Sequence, residues 1–180
     1  MLFVIIAVVV IVVVAVVVYN GLVKLRNQVD NGWAQIDVQL KRRSDLIPNL
    51  VETVKGYAAH ESQTFEAVIS ARNAGVYAQG PAESAAAEGP IASALGRLFA
   101  LSENYPTLKA DANFRQLQEE LTATEDRVAY ARQFYNDSVT RYHNKIYAFP
   151  GVLVAKPLGF TPRELFEAPD DAREVPNVSF

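Results

Sequence analysis

The chain has no cysteine in its 180 residues, which removes disulfides, thiolate metal ligands and cysteine nucleophiles at once and fits a reducing compartment. Histidine is almost as scarce, with two. His60-Glu61 opens like a zinc-protease helix, but the HExxH pattern needs its second histidine at position 64, where Thr64 stands. His143 sits beside a run of tyrosine repeats and reads as an exposed helix residue. No GxxxxGK[ST] or GxGxxG follows a strand pattern and no GxSxG elbow is present. The carboxylates are spread along polar helix faces, which favours ion pairing or solvation over acid/base chemistry. Charge bias is missing too: 17 Lys and Arg against 20 Asp and Glu leave a net charge of −3, too little to attract nucleic acid or to enforce disorder. These absences point to a chain that is not an enzyme, with no catalytic, cofactor-binding or metal-binding residues, no cofactor and no small-molecule substrate.

What is present begins with a greasy leader. Residues 2–18, LFVIIAVVVIVVVAVVV, are seventeen apolar residues without a charge, glycine or proline. As a helix they span ~26 Å, close to the ~30 Å hydrocarbon core of a bilayer. A cleaved signal peptide competes with this reading, yet no Lys or Arg precedes the run and no small-x-small site follows it, so an anchor is favoured. Lys24 and Arg26 follow the span closely, which predicts a single pass through the inner (cytoplasmic) membrane with the N-terminus outside and the body in the cytoplasm. Tyr19 suits the headgroup level, and Asn20-Gly21 offers an exit where the helix continues or hinges.

The chain is organised around residues 29–61, which concentrate apolar anchors, charges, a proline and the one tryptophan. Leu22, Leu25, Val29, Trp33, Ile36 and Leu40 recur at three- and four-residue steps and predict a first helix over 22–43. Asp37 and Lys41 are spaced for a surface pair, and Lys41-Arg42-Arg43 falls in the last turn, where cations complement the helix dipole. Pro48 then predicts an elbow: a new helix with Pro48 in its first turn, Ser44 or Asp45 as cap, and a stripe from Leu50 to Val76. Lys41, Arg42, Arg43 and Asp45 are the candidate interaction surface, for anionic lipid or a protein partner.

Residues 78–90, bracketed by two Gly-Pro steps, read as an exposed connection with at most a turn or two of helix. A short third helix follows over 91–101, ending at Asn104-Tyr105-Pro106. The fourth is the clearest: Phe114, Leu121, Val128, Tyr135, Tyr142 and Phe149 stand seven apart behind an Asp111 cap, with Leu117, Thr124, Ala131 and Ser138 in companion positions. Such heptads serve an internal core or an interface between subunits equally well. Phe149-Pro150-Gly151 should end this helix, and GVLVAKPLGF should lie extended along the bundle. Thr161-Pro162-Arg163-Glu164 fits a capping box opening a short turn. Val175, Val178 and Phe180 would then dock the tail on its own bundle or on a neighbour.

Taken together, IDVQLKRRSDLIPNLVETVKGYAAHE, the YNGLVKLRNQVDNGW entry, YNDSVTRYHN and the closing FPGVLVAKPLGF…LFEAP…VPNVSF resemble the LemA family over nearly the whole chain. Gly32, where an alanine-like residue is expected before the tryptophan, is a mild departure. The resemblance implies a bacterial membrane protein with a short external N-terminus, a cytoplasmic antiparallel helical bundle and no established enzymatic activity. Some relatives are associated with magnetosome membrane formation, others with membrane protease or stress-response components. The expected fold is all-α: a transmembrane anchor over 1–20, an antiparallel up-and-down four-helix bundle over 21–149, and an extended C-terminal strap over 150–180. The expected function is a membrane-anchored scaffold that self-associates as a homo-oligomer or recruits a membrane-protein partner, in contact with the lipid bilayer and not with nucleic acid. The alternative is an accessory regulator of a membrane protease or envelope-stress pathway.

Overall fold

The computed structural model describes residues 1–167. Within them the chain is all-helical: α1 (Leu2–Lys55), α2 (Ser62–Tyr77), α3 (Gly80–Ser102), α4 (Pro106–Lys109), α5 (Ala112–Tyr147) and α6 (Gly151–Ala155). At 54 residues, α1 is a rod of ~80 Å. Asn20-Gly21 does not interrupt it. Its first part is bare: residues 1–17 are exposed apart from a half-buried Ala15. From Val18 onward one stripe turns inward, with Leu22, Val29, Ile36, Ile47, Leu50, Val51 and Val54 all buried.

The elbow expected at Pro48 is not there, because α1 passes through Pro48 and continues to Lys55. An internal proline removes the donor to the carbonyl four residues earlier and ordinarily costs ~3 kcal/mol. Here that carbonyl is Ser44 O, and Arg72 Nε of α2 donates to it at 2.9 Å. The stripe expected on both sides of Pro48 therefore lies on one helix, and the true break comes at residues 56–61.

Helices α1 and α5 run antiparallel and in step. Gly21 faces Lys145 and Gly32 faces Tyr135, Arg43 meets Glu125, and the Tyr57 hydroxyl donates to Asp111 Oδ2 at 3.0 Å. Asp111 caps α5 as expected, accepting from the Phe114 N–H at 2.8 Å. The heptad residues Phe114, Leu121, Val128, Tyr135 and Tyr142 are buried, with Thr124, Ala131 and Ser138 beside them, whereas Phe149 lies past the helix end and is 80% exposed. A Cβ on Gly32 would lie 3.2 Å from the Tyr135 Cα. Glycine there lets the two backbones approach closely.

Helix α2 packs on α3 and on α1. The connection expected over 78–90 is instead the first half of α3, which runs from Gly80 through Pro90 to Ser102. Pro81 stands in the first turn, where its missing N–H costs nothing. The alanines between the two prolines are strong helix formers. Pro90 and Ala86, whose carbonyl it leaves without a donor, are both exposed, so water can serve that carbonyl.

The core forms two apolar clusters. One gathers Ile47, Leu50, Val54, Phe65, Leu98, Phe114 and Leu121. The other gathers Val18, Leu22, Ile36, Tyr135, Tyr142, Phe160 and Phe166. After α5 the expected extended segment begins as a helical turn, α6, folded against α5 so tightly that a Cβ on Gly151 would strike the Lys145 carbonyl. No helix follows Thr161 among the described residues. Residues 161–166 instead return along α5: the Tyr142 hydroxyl donates to Thr161 O at 3.0 Å, the Tyr135 hydroxyl to Glu164 O at 2.7 Å, and the Phe166 N–H to Asn136 Oδ1 at 2.8 Å. Phe166 packs near the Trp33 ring. A backbone whose carbonyls accept from tyrosine hydroxyls of α5 and whose Phe166 N–H donates to Asn136 in this way has no need of a capping-box turn. The expected anchors Val175, Val178 and Phe180 lie outside the described residues.

Candidate interaction site

The basic cluster at the C-terminal half of α1 does not act as one surface. A helix turns 100° per residue, so three consecutive cations cannot share a face. Lys41 and Arg42 are exposed, and so is Asp45. Arg43 points inward and is 4% exposed. Its Nη1 donates to Glu88 Oε2 at 2.9 Å and to Glu125 Oε1 at 3.1 Å, while Nη2 pairs with Glu88 Oε1. Burial alone would pull the Arg43 guanidinium down, but the hydrogen bond and charge of Glu88, then those of Glu125, hold it above its ordinary value. The bidentate pairing suits the planar guanidinium fork. This layer joins α1, α3 and α5 between the two apolar clusters. The surface pair expected between Asp37 and Lys41 does not form.

Beside this layer is a cleft of about 380 Å³ between α1, α2 and α3, lined by Trp33, Lys41, Arg43, Asp45, Arg72 and Glu88 among others. Three of the four candidate residues, Lys41, Arg43 and Asp45, therefore border one cavity; Arg42 faces elsewhere. The Ser44 hydroxyl at its wall is buried with no hydrogen-bond partner among the described residues. Glu88 had no chance of selection from sequence, because its segment read as a connection. Its signal was its place two residues before Pro90, at the end of an alanine-rich run.

A second feature lies on the opposite side of the α1–α5 pair. Ala34, Val38, Tyr130 and Ala131 line a shallow apolar groove of about 560 Å³, with Val38 61% and Tyr130 74% exposed. Phe134, one helical turn on from Tyr130, is 39% exposed. Val38 and Tyr130 stand off the buried stripe, Val38 two after Ile36 and Tyr130 two after Val128, so the periodicity that found the core passed them over. A wider depression of about 690 Å³ at the α1–α2 turn, lined by Lys55, Phe65 and Ile69, gathers no comparable charge. Among the described residues no group of His, Asp or Glu side chains could hold a metal ion.

An apolar helix long enough to cross a membrane, continuous with an all-helical body that carries a charged cleft and an apolar groove, defines a membrane-associated helical protein. The chain belongs to the LemA family, matching it over residues 32–180. It is 29% identical to the magnetosome protein MamQ 2 of Paramagnetospirillum magneticum, covering 83% of this chain and 64% of that protein. It is 28% identical to the MamQ of Magnetospirillum gryphiswaldense, covering 82% and 64%. It is also 28% identical to the protein LemA of Metamycoplasma hominis, covering 86% and 71%. The chain thus spans 64% of the length of these magnetosome relatives.

Proposed function

We propose that this protein is a non-enzymatic scaffold, anchored by residues 2–18 in the inner membrane with its N-terminus outside, whose cytoplasmic body self-associates or recruits partners at the membrane face. The observation that carries this reading is the unbroken passage of the apolar run into the body as one helix, Leu2–Lys55. A rod without a linker transmits the anchor's position and tilt to the body, as an organising protein needs and a tethered soluble domain does not. Support for a cytoplasmic body comes from Lys24 and Arg26, just after the apolar run. The body is read as an antiparallel four-helix bundle of α1, α2, α3 and α5, with the segment after α6 as a strap; the in-step α1–α5 pairing and the α2–α3 packing support it. Self-association would use the Val38–Tyr130 groove, since exposed apolar surface of this kind marks protein interfaces. Recruitment would use Lys41 and Asp45 at the rim of the cleft and the exposed Arg42 outside it. The magnetosome relatives suit a role in organising a membrane.

The test is solubilisation in a mild detergent followed by mass measurement of the native and Tyr130→Glu proteins. A defined homo-oligomer that the substitution dissolves, with helicity unchanged, is expected. A native protein that is monomeric and without partners would overturn the reading.

A further inference from the structure

The apolar run of α1 ends at Val18, and Val18 does not end in open solvent: it is buried in one cluster with Ile146 and Ala155. Helix α6 packs on both α1 and α5. The corner between α5 and α6 therefore stands level with the last turn of the run. That corner is unlike the rest of the body surface. Tyr147, Phe149, Val152, Leu153 and Leu158 are 41 to 80% exposed, five large apolar side chains within twelve residues. Lys145 and Lys156, both exposed, flank them. Tyr19 is 42% exposed on the neighbouring turn of α1.

Three considerations identify what covers this patch. It adjoins the end of the bare run, where the Tyr19 ring meets the Phe160 ring with centroids 5.7 Å apart, so a bilayer that holds residues 2–17 reaches the corner as well. Its height matches, because residues packed beside Val18 lie where a crossing helix leaves the hydrocarbon. Its composition is that of an interface with lipid: apolar tips to insert, a tyrosine on each side, and lysines placed to reach phosphates. Resting on the anchored reading above, we propose that the α5–α6 corner inserts Phe149, Leu153 and Leu158 into the leaflet from which α1 emerges, as a second membrane contact. A single helix leaves a body free to rotate about the helix axis. A second contact removes that freedom, so the cleft and the apolar groove face fixed directions relative to the bilayer.

The absence of cysteine makes the test clean, since each introduced thiol is the only one. Full-length protein carrying Val10→Cys, Leu153→Cys, Leu158→Cys or Glu119→Cys, the last an exposed site outside the groove, is labelled with an environment-sensitive fluorophore. Each is reconstituted into nanodiscs of phosphatidylcholine and phosphatidylglycerol, with circular dichroism as the check on folding. Quenching by spin-labelled lipid is compared with quenching by aqueous iodide. Labels at 10, 153 and 158 should be quenched by lipid severalfold more than the label at 119, which iodide should reach. Labels at 153 and 158 that behave like 119 while 10 remains in lipid would overturn the second contact and leave the anchor intact. Shielding of 153 and 158 from both quenchers would assign the corner to a second protein copy and overturn the proposal. A label at 10 that lipid does not quench would overturn the anchored reading itself.

Discussion

Arg72 donates from Nε to the carbonyl of Ser44 at 2.9 Å, and Ser44 is the residue whose intrahelical donor Pro48 removes. A side chain from α2 thus repairs the hydrogen-bond ladder of α1 at the one internal proline of that helix. The repair keeps anchor and body a single rod. It predicts coupling between two residues that need not touch. Arg72→Ala should cost about 1 to 3 kcal/mol, the penalty for leaving a buried acceptor unmade. In a Pro48→Ala background the alanine N–H can serve Ser44, and the same substitution should cost about 1 kcal/mol less. Urea unfolding in detergent, followed by circular dichroism, measures all four proteins. Equal costs in the two backgrounds would show that Arg72 does not compensate for Pro48.

The Arg43 layer predicts an asymmetry between partners. Arg43→Met leaves two partly exposed carboxylates without their cation and should cost about 2 to 3 kcal/mol, less than for a fully buried pair because water reaches both. Glu125→Gln should cost under ~1 kcal/mol, because the Glu125 side chain is 43% exposed and water can replace the contact. Arg43→Met combined with Glu88→Leu should recover most of the loss, since apolar residues often substitute for a buried pair without penalty. Thermal melts of the three variants decide it. A double variant no better than Arg43→Met alone would mean that the layer contributes something beyond charge balance.

Periodicity carried much of this fold. The heptads of α5 predicted its buried face and Asp111 its cap, because both signals are local: a 36-residue helix repeats its core pattern five times, and a cap is a contact three residues long. The errors came where a distant residue overrode a local rule. Pro48 reads as a break until Arg72 is known to serve Ser44, and nothing near Pro48 announces Arg72. Gly-Pro steps at 80–81 and 89–90 read as punctuation, yet one proline occupies a helix start and the other faces water. The basic cluster was visible as composition, but which of its members was buried depended on Glu88, from a segment that read as loop. Val38 and Tyr130 were illegible for a simpler reason: they break the pattern that made their neighbours readable.

Tyr135 predicts how the fold fails in alkali. Burial pushes its phenol up to about 12 from an ordinary 10, with the nearby Arg163 guanidinium working against the shift. The folded protein therefore keeps this proton where the unfolded chain has lost it. The sign follows: this contribution is whole below about pH 10, and is lost as pH rises through about 12. Its size is on the order of 2 to 3 kcal/mol. Tyr142, raised by burial as well, acts in the same direction. Tyr135→Phe should lose about 1 kcal/mol at neutral pH with the Glu164 hydrogen bond, and should show a shallower decline in the alkaline range. Tyrosinate absorbance and circular dichroism along one alkaline titration would check this. An equally steep decline in the variant would place the sensitive group elsewhere.

The neighbouring cations Arg42 and Arg43 should answer charge reversal in opposite ways, and the contrast separates binding from folding. Arg43→Glu puts a third carboxylate beside Glu88 and Glu125 in a site that is 4% exposed. It should unfold the middle of the body, at a cost of at least about 3 to 5 kcal/mol. Lys41→Glu with Arg42→Glu changes two exposed side chains and should move stability by no more than about 0.5 kcal/mol each. If the surface around Lys41, Arg42 and Asp45 binds a partner, the double reversal should alter the mass of the detergent-extracted complex or the protein's distribution in the membrane while helicity stays native. Reversing Asp45 to Lys in the same protein should restore part of the effect if the partner reads net charge there, and none if it reads Lys41 and Arg42 individually. Lost helicity in the double reversal would make all three cations structural and leave the apolar groove as the remaining binding surface.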